Sequence, residues 1–514
     1  MKTIKYILLS AVLIGFTACN DDEYDYDPSP EPLPELTAGT ADFSTYVSLG
    51  NSITAGFSDG TVFLAAQQNS FPTILSQQFN LVGGGSFTQP LVNDNFGGLA
   101  LAGNRIPGTM PRLVTIGEAP LPIEAVIGPI TVSTDLVLNN PTGPFNNMGV
   151  PGARSFHLLA PGYGNIANLE AGLANPYFVR MTGATPNASI MELAMAQSPS
   201  FVTLWIGAND VLGYATEGAS SGAPTPQPIF DGAIAQIMSA LGDAQGVMAN
   251  IPNVTDLPYF TTVPNNALAL DAATAASLTG FFQAVTGIFA QGLIAQGVPP
   301  NDALALASQY SLTFNEGPNR FLIDVPPSAS NPLGFRQMTA EELLVLTIDQ
   351  GALAQGYGSV VLTNEVLQVL GILQAGGTIT PEQGALVIGA ISGIDDGDAL
   401  DSDEITEIST AISGFNATLQ AAAAAAGFGF MDANSIFEQM ATTGYTDGKF
   451  TLTTDLVTGG AVSLDGIHPN SRGYGLVANE FMKAIDAAYG SNFEASGNLV
   501  DIGNYPTNYS PLLQ

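Results

Sequence analysis

The sequence predicts an α/β protein: a three-layer α/β/α sandwich around a parallel sheet of about five strands, enlarged by long insertions. Three observations carry that prediction. Short strand-like runs occur at Phe43–Leu49, Phe201–Ile206, Gly246–Ile251 and Gly427–Met431, and the second has the apolar character of a strand buried on both faces. Helical patterns lie between them, an alternation that builds parallel sheets with helices on both sides. Polar turns bearing Ser, Asn and His sit near both ends of the chain, so the 514 residues read as one domain although length alone would allow about three.

Residues 1–18 read as a signal peptide. Lys2 and Lys5 precede an apolar stretch from Tyr6 to Phe16, about half of the ~20 residues that span a bilayer, so the segment is cleaved and does not anchor the chain. Cys19 follows, the single cysteine, which excludes an internal disulfide. Its place after Thr17-Ala18 resembles a bacterial lipobox, in which the cysteine is lipidated and becomes the mature N-terminus; Phe16 departs from the Leu more usual there. Residues 19–40 continue as a tether, with Asn20 to Asp27 densely acidic and prolines at 28, 30, 32 and 34. Like charge and alternating proline cannot bury a core. An acidic run directly after such a cysteine resembles the surface-export tag of some Gram-negative bacteria. It implies an exported outer-membrane lipoprotein whose domain faces outward, display toward the periplasm being the alternative.

Charge narrows the partners. Without Lys2 and Lys5, nine basic side chains face 45 acidic ones, a formal charge near −36. Nucleic acid and anionic membrane surfaces are excluded as partners on that balance, which leaves the lipid anchor as the expected membrane contact. Only 11% of residues are charged, so much of the surface is Asn, Gln, Ser, Thr, Gly and Ala, as suits neutral substrates.

Along the chain, the first strand ends at Gly50-Asn51-Ser52-Ile53, which puts Ser52 on the turn leaving it. Open parallel sheets bind ligands at the carboxyl ends of their strands. Asn147 to Arg154 is a glycine-rich loop in which Gly152, lacking a Cβ, lets a backbone N–H come close to a reacting oxygen. Asn209 emerges just beyond Phe201–Ile206 in Gly207-Ala208-Asn209-Asp210, with an amide able to donate to developing negative charge. Gly218-Ala219-Ser220-Ser221-Gly222 matches the Gly-x-Ser-x-Gly elbow found in the α/β-hydrolase fold, but that elbow needs a strand before it and a helix after it. Here it reads as a loop. Ile229–Leu241 is helix-like. Leu278, Phe281, Phe282, Val285, Ile288 and Phe289 recur at helical spacing within an uncharged stretch from Ala272 to Asn301, read as a packed amphipathic helix, with a membrane helix or a mobile cap as alternatives.

Asp395 to Glu404 is an acidic run whose spacing misses the EF-hand loop, so it reads as a solvated loop with Asp401 or Ser402 capping a helix to about Ala426; bound calcium stays open. No Cys/His cluster exists for zinc, and no cofactor is implied. Residues 491–514 are set apart as a C-terminal tail.

The remaining motif is Asp465-Gly466-Ile467-His468-Pro469. His468 is one of two histidines; the other, His157, sits in an apolar helix-like context without a nearby carboxylate. A serine hydroxyl becomes a nucleophile when a neutral imidazole takes its proton, and a carboxylate steadies the imidazolium. A spacing of three lets Asp465 and His468 reach one site, and Asn470 or Ser471 is placed to cap a helix beginning near Arg472.

Together, the blocks at Ser52, Gly152, Asn209 and Asp465-x-x-His468 resemble, in order, those of the SGNH/GDSL hydrolase family, over roughly residues 43 to 490. The resemblance implies a flavodoxin-like sheet within residues 41–490, with insertions near 81–140 and 254–400. It also implies Ser52 as nucleophile, His468 as base, Asp465 as its orienting acid, and an oxyanion hole from Ser52, Gly152 and Asn209. Asn51 stands where the family usually has Asp, so whatever that carboxylate organises passes to an amide. The implied activity is hydrolysis of a carboxylic ester of an acylated glycan or of a lipid. The rival reading is a surface lipoprotein that holds a glycan or lipid in the same pocket without cleaving it; acyl length, the alcohol part and oligomeric state stay open.

Overall fold

Five strands, β1 (Tyr46–Gly50), β2 (Asn147–Gly149), β3 (Phe201–Trp205), β4 (Gln245–Ala249) and β5 (Gly429–Met431), pair in parallel in the order β5-β4-β3-β1-β2. The computed structural model describes residues 32–117 and 119–513. The signal peptide and Cys19 lie outside the described residues. The helices that frame the sheet and the site are α1 (Ser52–Ala55), α2 (Phe71–Asn80), α3 (Asn209–Thr216), α4 (Gln227–Leu241), α5 (Ala272–Ala295), α6 (Ser402–Ala426), α7 (Ala433–Thr442) and α8 (Ser471–Tyr489).

Alternation along each strand divides the core into two layers, because successive side chains point to opposite faces. On one face Tyr46, Phe201, Trp205 and Val247 pack with Phe71 and Phe79 of α2 and Phe481 and Ile485 of α8. On the other, Val47, Leu49, Val202, Leu204 and Met248 meet Phe230, Ile234 and Ile237 of α4 and Ile408, Ile412 and Phe415 of α6. Helices therefore cover both faces, and the strands are buried except at Gln245 and Phe430, which are partly exposed. The few polar groups between the layers are paired: Thr203 donates to Ser48 Oγ at 2.8 Å and lies 2.9 Å from the Tyr46 hydroxyl, as buried hydroxyls must.

β1 begins three residues later than the sequence pattern implies. Phe43 precedes the strand and stacks on Phe79, ring centroids 3.9 Å apart. β2 has only three residues, too few for a period-two pattern to register, and the sequence shows it only as a glycine-rich loop. Helix ends follow local chemistry. Asp401 accepts from the N–H groups of Asp403 and Glu404 and caps α6, while Asn470 accepts from Gly473 and caps α8.

Because β2 joins one side of β1 and β3 the other, the connections part at the carboxyl ends of β1 and β3, where doubly wound sheets form their ligand crevice. The insertion at 254–400 brings a core of its own: Leu278, Phe281, Phe282 and Val285 of α5 pack against Tyr310, Phe314, Phe335, Val366 and Val387. That accounts for the uncharged helix, which buries one side in this core. Residues 81–140 are mostly loops and short hairpins, such as Leu113–Ile116 with Ala119–Pro122. The last residues return to the domain, where the buried Arg112 guanidinium donates to the Ser510 and Leu513 carbonyls at 2.7 and 3.1 Å.

Phe481 stacks on Phe71 at 4.9 Å between centroids, both fully buried. Phe481→Ala is expected to lower unfolding free energy by about 3–5 kcal/mol, the usual cost of an emptied aromatic core position. Urea denaturation of the two proteins checks this, and an unchanged midpoint would contradict the packing.

Candidate active site

Ser52 opens α1 at the carboxyl end of β1 and is 6% exposed. Asn51 shapes the turn: its Oδ1 accepts from the Ile53 N–H at 3.0 Å, an N-cap that needs an acceptor oxygen but no charge. The amide thus supplies what the turn requires. α1 lies directly on β2, and a Cβ at Gly149 would stand 2.3 Å from the Ala55 nitrogen. Only glycine lets the helix that begins at Ser52 sit so close.

The histidine that meets Ser52 comes from the other end of the chain. Residues 462–469 form a tight loop, with the Ser463 N–H bonded to the His468 carbonyl at 2.7 Å. His468 Nε2 lies 2.8 Å from Ser52 Oγ, and its Nδ1 lies 2.9 Å from Asp465 Oδ2. With Nδ1–H given to the carboxylate, the Nε2 lone pair faces the hydroxyl. The ring of Phe57 packs against the imidazole at 4.5 Å.

Asp465 is held on every side. Its Oδ1 accepts from the N–H groups of Ile467 and His468 and from the Ser463 hydroxyl, each at 2.9 Å, and its Oδ2 also accepts from the Gly60 N–H at 3.0 Å. Burial pushes its pKa up, but the imidazole and the N–H donors outweigh it and bring the pKa down to about 2. The group is a carboxylate at any working pH.

A second carboxyl, which the sequence did not single out, lies beside the first. Asp59 is 1% exposed with φ +50°. Its N–H donates to Ser463 Oγ and its Oδ1 accepts from the Leu464 N–H, both at 3.0 Å. Burial, reinforced by the charge on Asp465 and opposed by the Leu464 donor and Arg112, pushes its pKa up to about 7. Ser58-Asp59-Gly60 reads as a turn in sequence; only its contact across 400 residues makes it part of the site.

Ser52, Gly152 and Asn209 leave neighbouring strand ends, since Gly50 pairs with both Gly149 and Trp205. Gly152 has φ +78°, and a Cβ there would meet only Asn175 Nδ2 at 3.8 Å, so backbone conformation and not crowding selects the glycine. Asn209 Nδ2 donates to the Ala153 carbonyl at 3.0 Å, which leaves its second amide hydrogen for a ligand. The buried Asp210 carboxylate accepts from the N–H and the hydroxyl of Ser155, both at 2.7 Å. Asn209 and Asp210 together tie the Gly152 loop to α3. Burial raises the Asp210 pKa against the pull of Ser155.

His157 has a different setting. Its Nδ1 accepts from the Arg154 N–H at 3.1 Å and its ring stacks on Tyr163 at 4.4 Å. Burial, with Arg154 nearby, lowers its pKa to about 4. It is a neutral packing residue. Gly218–Gly222 is a loop after α3, with Ser220 donating to the Glu217 carbonyl. In the acidic run, Asp401 and Glu404 form a capping box and Asp398 accepts from the Tyr357 hydroxyl at 2.7 Å. Among the described residues no cluster of His, Cys, Asp or Glu is grouped to hold a metal ion.

No family model, curated protein or solved structure matches this chain.

The Asp59 pKa is raised above its ordinary 3.8 to about 7. Between those values the folded protein holds a proton that the unfolded chain has lost, so stability falls as pH rises through that window. Asp59→Asn removes this titration. Urea midpoints at pH 5 and pH 8 are therefore expected to lie closer together in the variant than in the parent, and an unaltered gap would contradict the buried, raised carboxyl.

Proposed function

We propose that the protein is a serine esterase of SGNH/GDSL type, cleaving carboxylic esters through an acyl-enzyme on Ser52. The observation that carries this reading is the unbroken relay from Ser52 Oγ through the His468 imidazole to the Asp465 carboxylate, with donor–acceptor distances of 2.8 and 2.9 Å. The order of the sheet, with the nucleophile at its switch point, supports it.

In the proposed cycle Ser52 Oγ attacks the ester carbonyl carbon while His468 Nε2 takes the hydroxyl proton. Charge gathers on the former carbonyl oxygen, where the N–H groups of Ser52 and Gly152 and the amide of Asn209 stabilise it. Collapse breaks the bond to the alcohol, which leaves with the proton from Nε2. A water, deprotonated by the same nitrogen, then attacks the acyl-serine; the bond to Ser52 Oγ breaks, Nε2 returns its proton to that oxygen and the acid is released. Asp465 keeps the imidazole in the tautomer with its lone pair on Nε2 and balances the imidazolium. The chain needs no cofactor for these steps. As an exported lipoprotein anchored through Cys19, it would meet substrate at the cell surface or in the periplasm.

A fluorophosphonate probe is expected to modify wild-type protein stoichiometrically at Ser52, and folded wild type that takes no label would overturn the esterase. On chromogenic esters of graded acyl length, Ser52→Ala and His468→Ala should each cut kcat/KM by about 10⁴-fold or more. His157→Ala should retain activity; equal damage from the two histidine variants in folded protein would remove His468 from its role.

A further inference from the structure

The carboxyl ends of β4 and β5 open onto a polar groove apart from the serine. Asn250 and Asp432, the residues that follow those strands, form part of its lining and are joined by a 2.7 Å hydrogen bond. One stretch of about 420 Å³ runs between α6 and the start of α7. A second, about 680 Å³, continues past Asn253 and Asn434, which line both, to Thr454 and Asp455. Each volume falls in the range of about 300–1,000 Å³ found for small-molecule sites.

The lining chemistry selects among ligands. Neither stretch has a Lys, Arg or His, while Asp256, Asp432, Glu438 and Asp455 contribute carboxylates. Phosphate, sulfate and uronate groups would meet like charge there. An acyl chain would strip water from amides and carboxylates and return nothing. A neutral polyol offers each of them a donor or an acceptor.

The groove is also firm. Asn416 bonds both ways to the Ile251 backbone, at 2.8 and 2.9 Å, and Asn434 Nδ2 donates to the Ile251 carbonyl at 3.0 Å. On the same face of α6 as Asn416, Ser413 and Gln420 are exposed and line the groove, and their side chains make no hydrogen bond among the described residues. Phe430 supplies an apolar wall, suited to the C–H face of a sugar ring.

Position links the groove to the serine. β4 and β5 lie two and three strands from β1, about 10 and 14 Å at the usual strand spacing. Thr261, on the second stretch, ends a short helix whose Tyr259 N–H bonds the Gly466 carbonyl at 3.0 Å. One short helix thus borders the groove with Thr261 and holds the loop that carries Asp465 and His468 with Tyr259.

We propose that this groove is the subsite for the alcohol half of the substrate and that this half is a neutral oligosaccharide. The assignment rests on the esterase reading above. It separates a glycan ester, which fills the groove, from a lipid ester, which cannot use it.

Calorimetric titration of full-length Ser52→Ala protein with xylohexaose, cellohexaose, mannohexaose and hexagalacturonate tests the assignment. At least one neutral hexasaccharide is expected to bind, hexagalacturonate is not, and adding Ala417→Trp, which projects a ring from exposed α6 into the groove, should weaken binding about tenfold or more. Absence of binding by all three neutral sugars, preference for hexagalacturonate, or indifference to Ala417→Trp in protein of parental circular dichroism overturns the subsite. Should that variant misfold, Gln420→Ala takes its place, with about threefold weakening expected from one lost polar contact and indifference counting against the subsite. Fluorophosphonate labelling separates the two readings. Labelled wild type whose serine variant binds no neutral sugar removes the glycan subsite and leaves the esterase; sugar binding in the groove of a protein that takes no label removes the esterase and, with it, the glycan as the alcohol half.

Discussion

The buried charge of Asp465 is the constraint around which the two ends of this chain close. A carboxylate withdrawn from water is costly unless nearly every lone pair is met. Among the described residues no lysine or arginine pairs with it; three backbone N–H groups, a hydroxyl and an imidazole do so. One donor, Gly60, comes from the turn after α1, and the others come from residues 463–468. Satisfying the anion therefore fixes the distance between the loop that bears Ser52 and the loop that bears His468. Asp59 completes that clamp from the side: its N–H holds the Ser463 hydroxyl, and burial, reinforced by the charge on Asp465, pushes the pKa of its own carboxyl up to about 7.

Much of the frame was legible in the sequence because it depends on local rules. β3 and β4 are long enough to show their apolar character, and the caps at Asp401 and Asn470 lie where polar side chains precede helical runs. What stayed hidden depends on contacts distant in sequence. β2 is three residues pressed under α1, with nothing but Gly149 to mark it. Asp59 and Ser463 look like ordinary turn residues, and their role appears only when 400 residues of chain have folded back. Asp210 belongs to the motif read around Asn209, yet its work is to hold Ser155, a partner no spacing rule names.

The insertion at 254–400 shows how a small α/β frame carries added structure without losing its geometry. Its aromatic core around α5 forms a cluster of its own, while Phe321, Ile323, Leu344 and Ile394 join the layer packed on the sheet. It reaches the His468 loop through one backbone bond and one side chain: the Tyr259 N–H holds the Gly466 carbonyl, and the Leu346 side chain lies against Gly466. The same segment borders the polar groove at β4 and β5, so one insertion both braces the His468 loop and shapes a neighbouring surface.

The Gly152 loop and the start of α3, which leave the strand ends neighbouring that of Ser52, are ordered by their own hydrogen bonds. Donors that must swing into place as charge develops give back part of what they stabilise, whereas donors fixed beforehand do not. Asn209 already spends one amide hydrogen on Ala153, and Asp210 secures Ser155 two residues on. The Gly152 loop and the start of α3 are thus one unit before any substrate arrives. The cost of that order falls on folding, where the buried Asp210 carboxyl is desolvated against two short hydrogen bonds. Under the esterase proposal that cost is met before the ester binds, and donors held in this way need no rearrangement as negative charge develops.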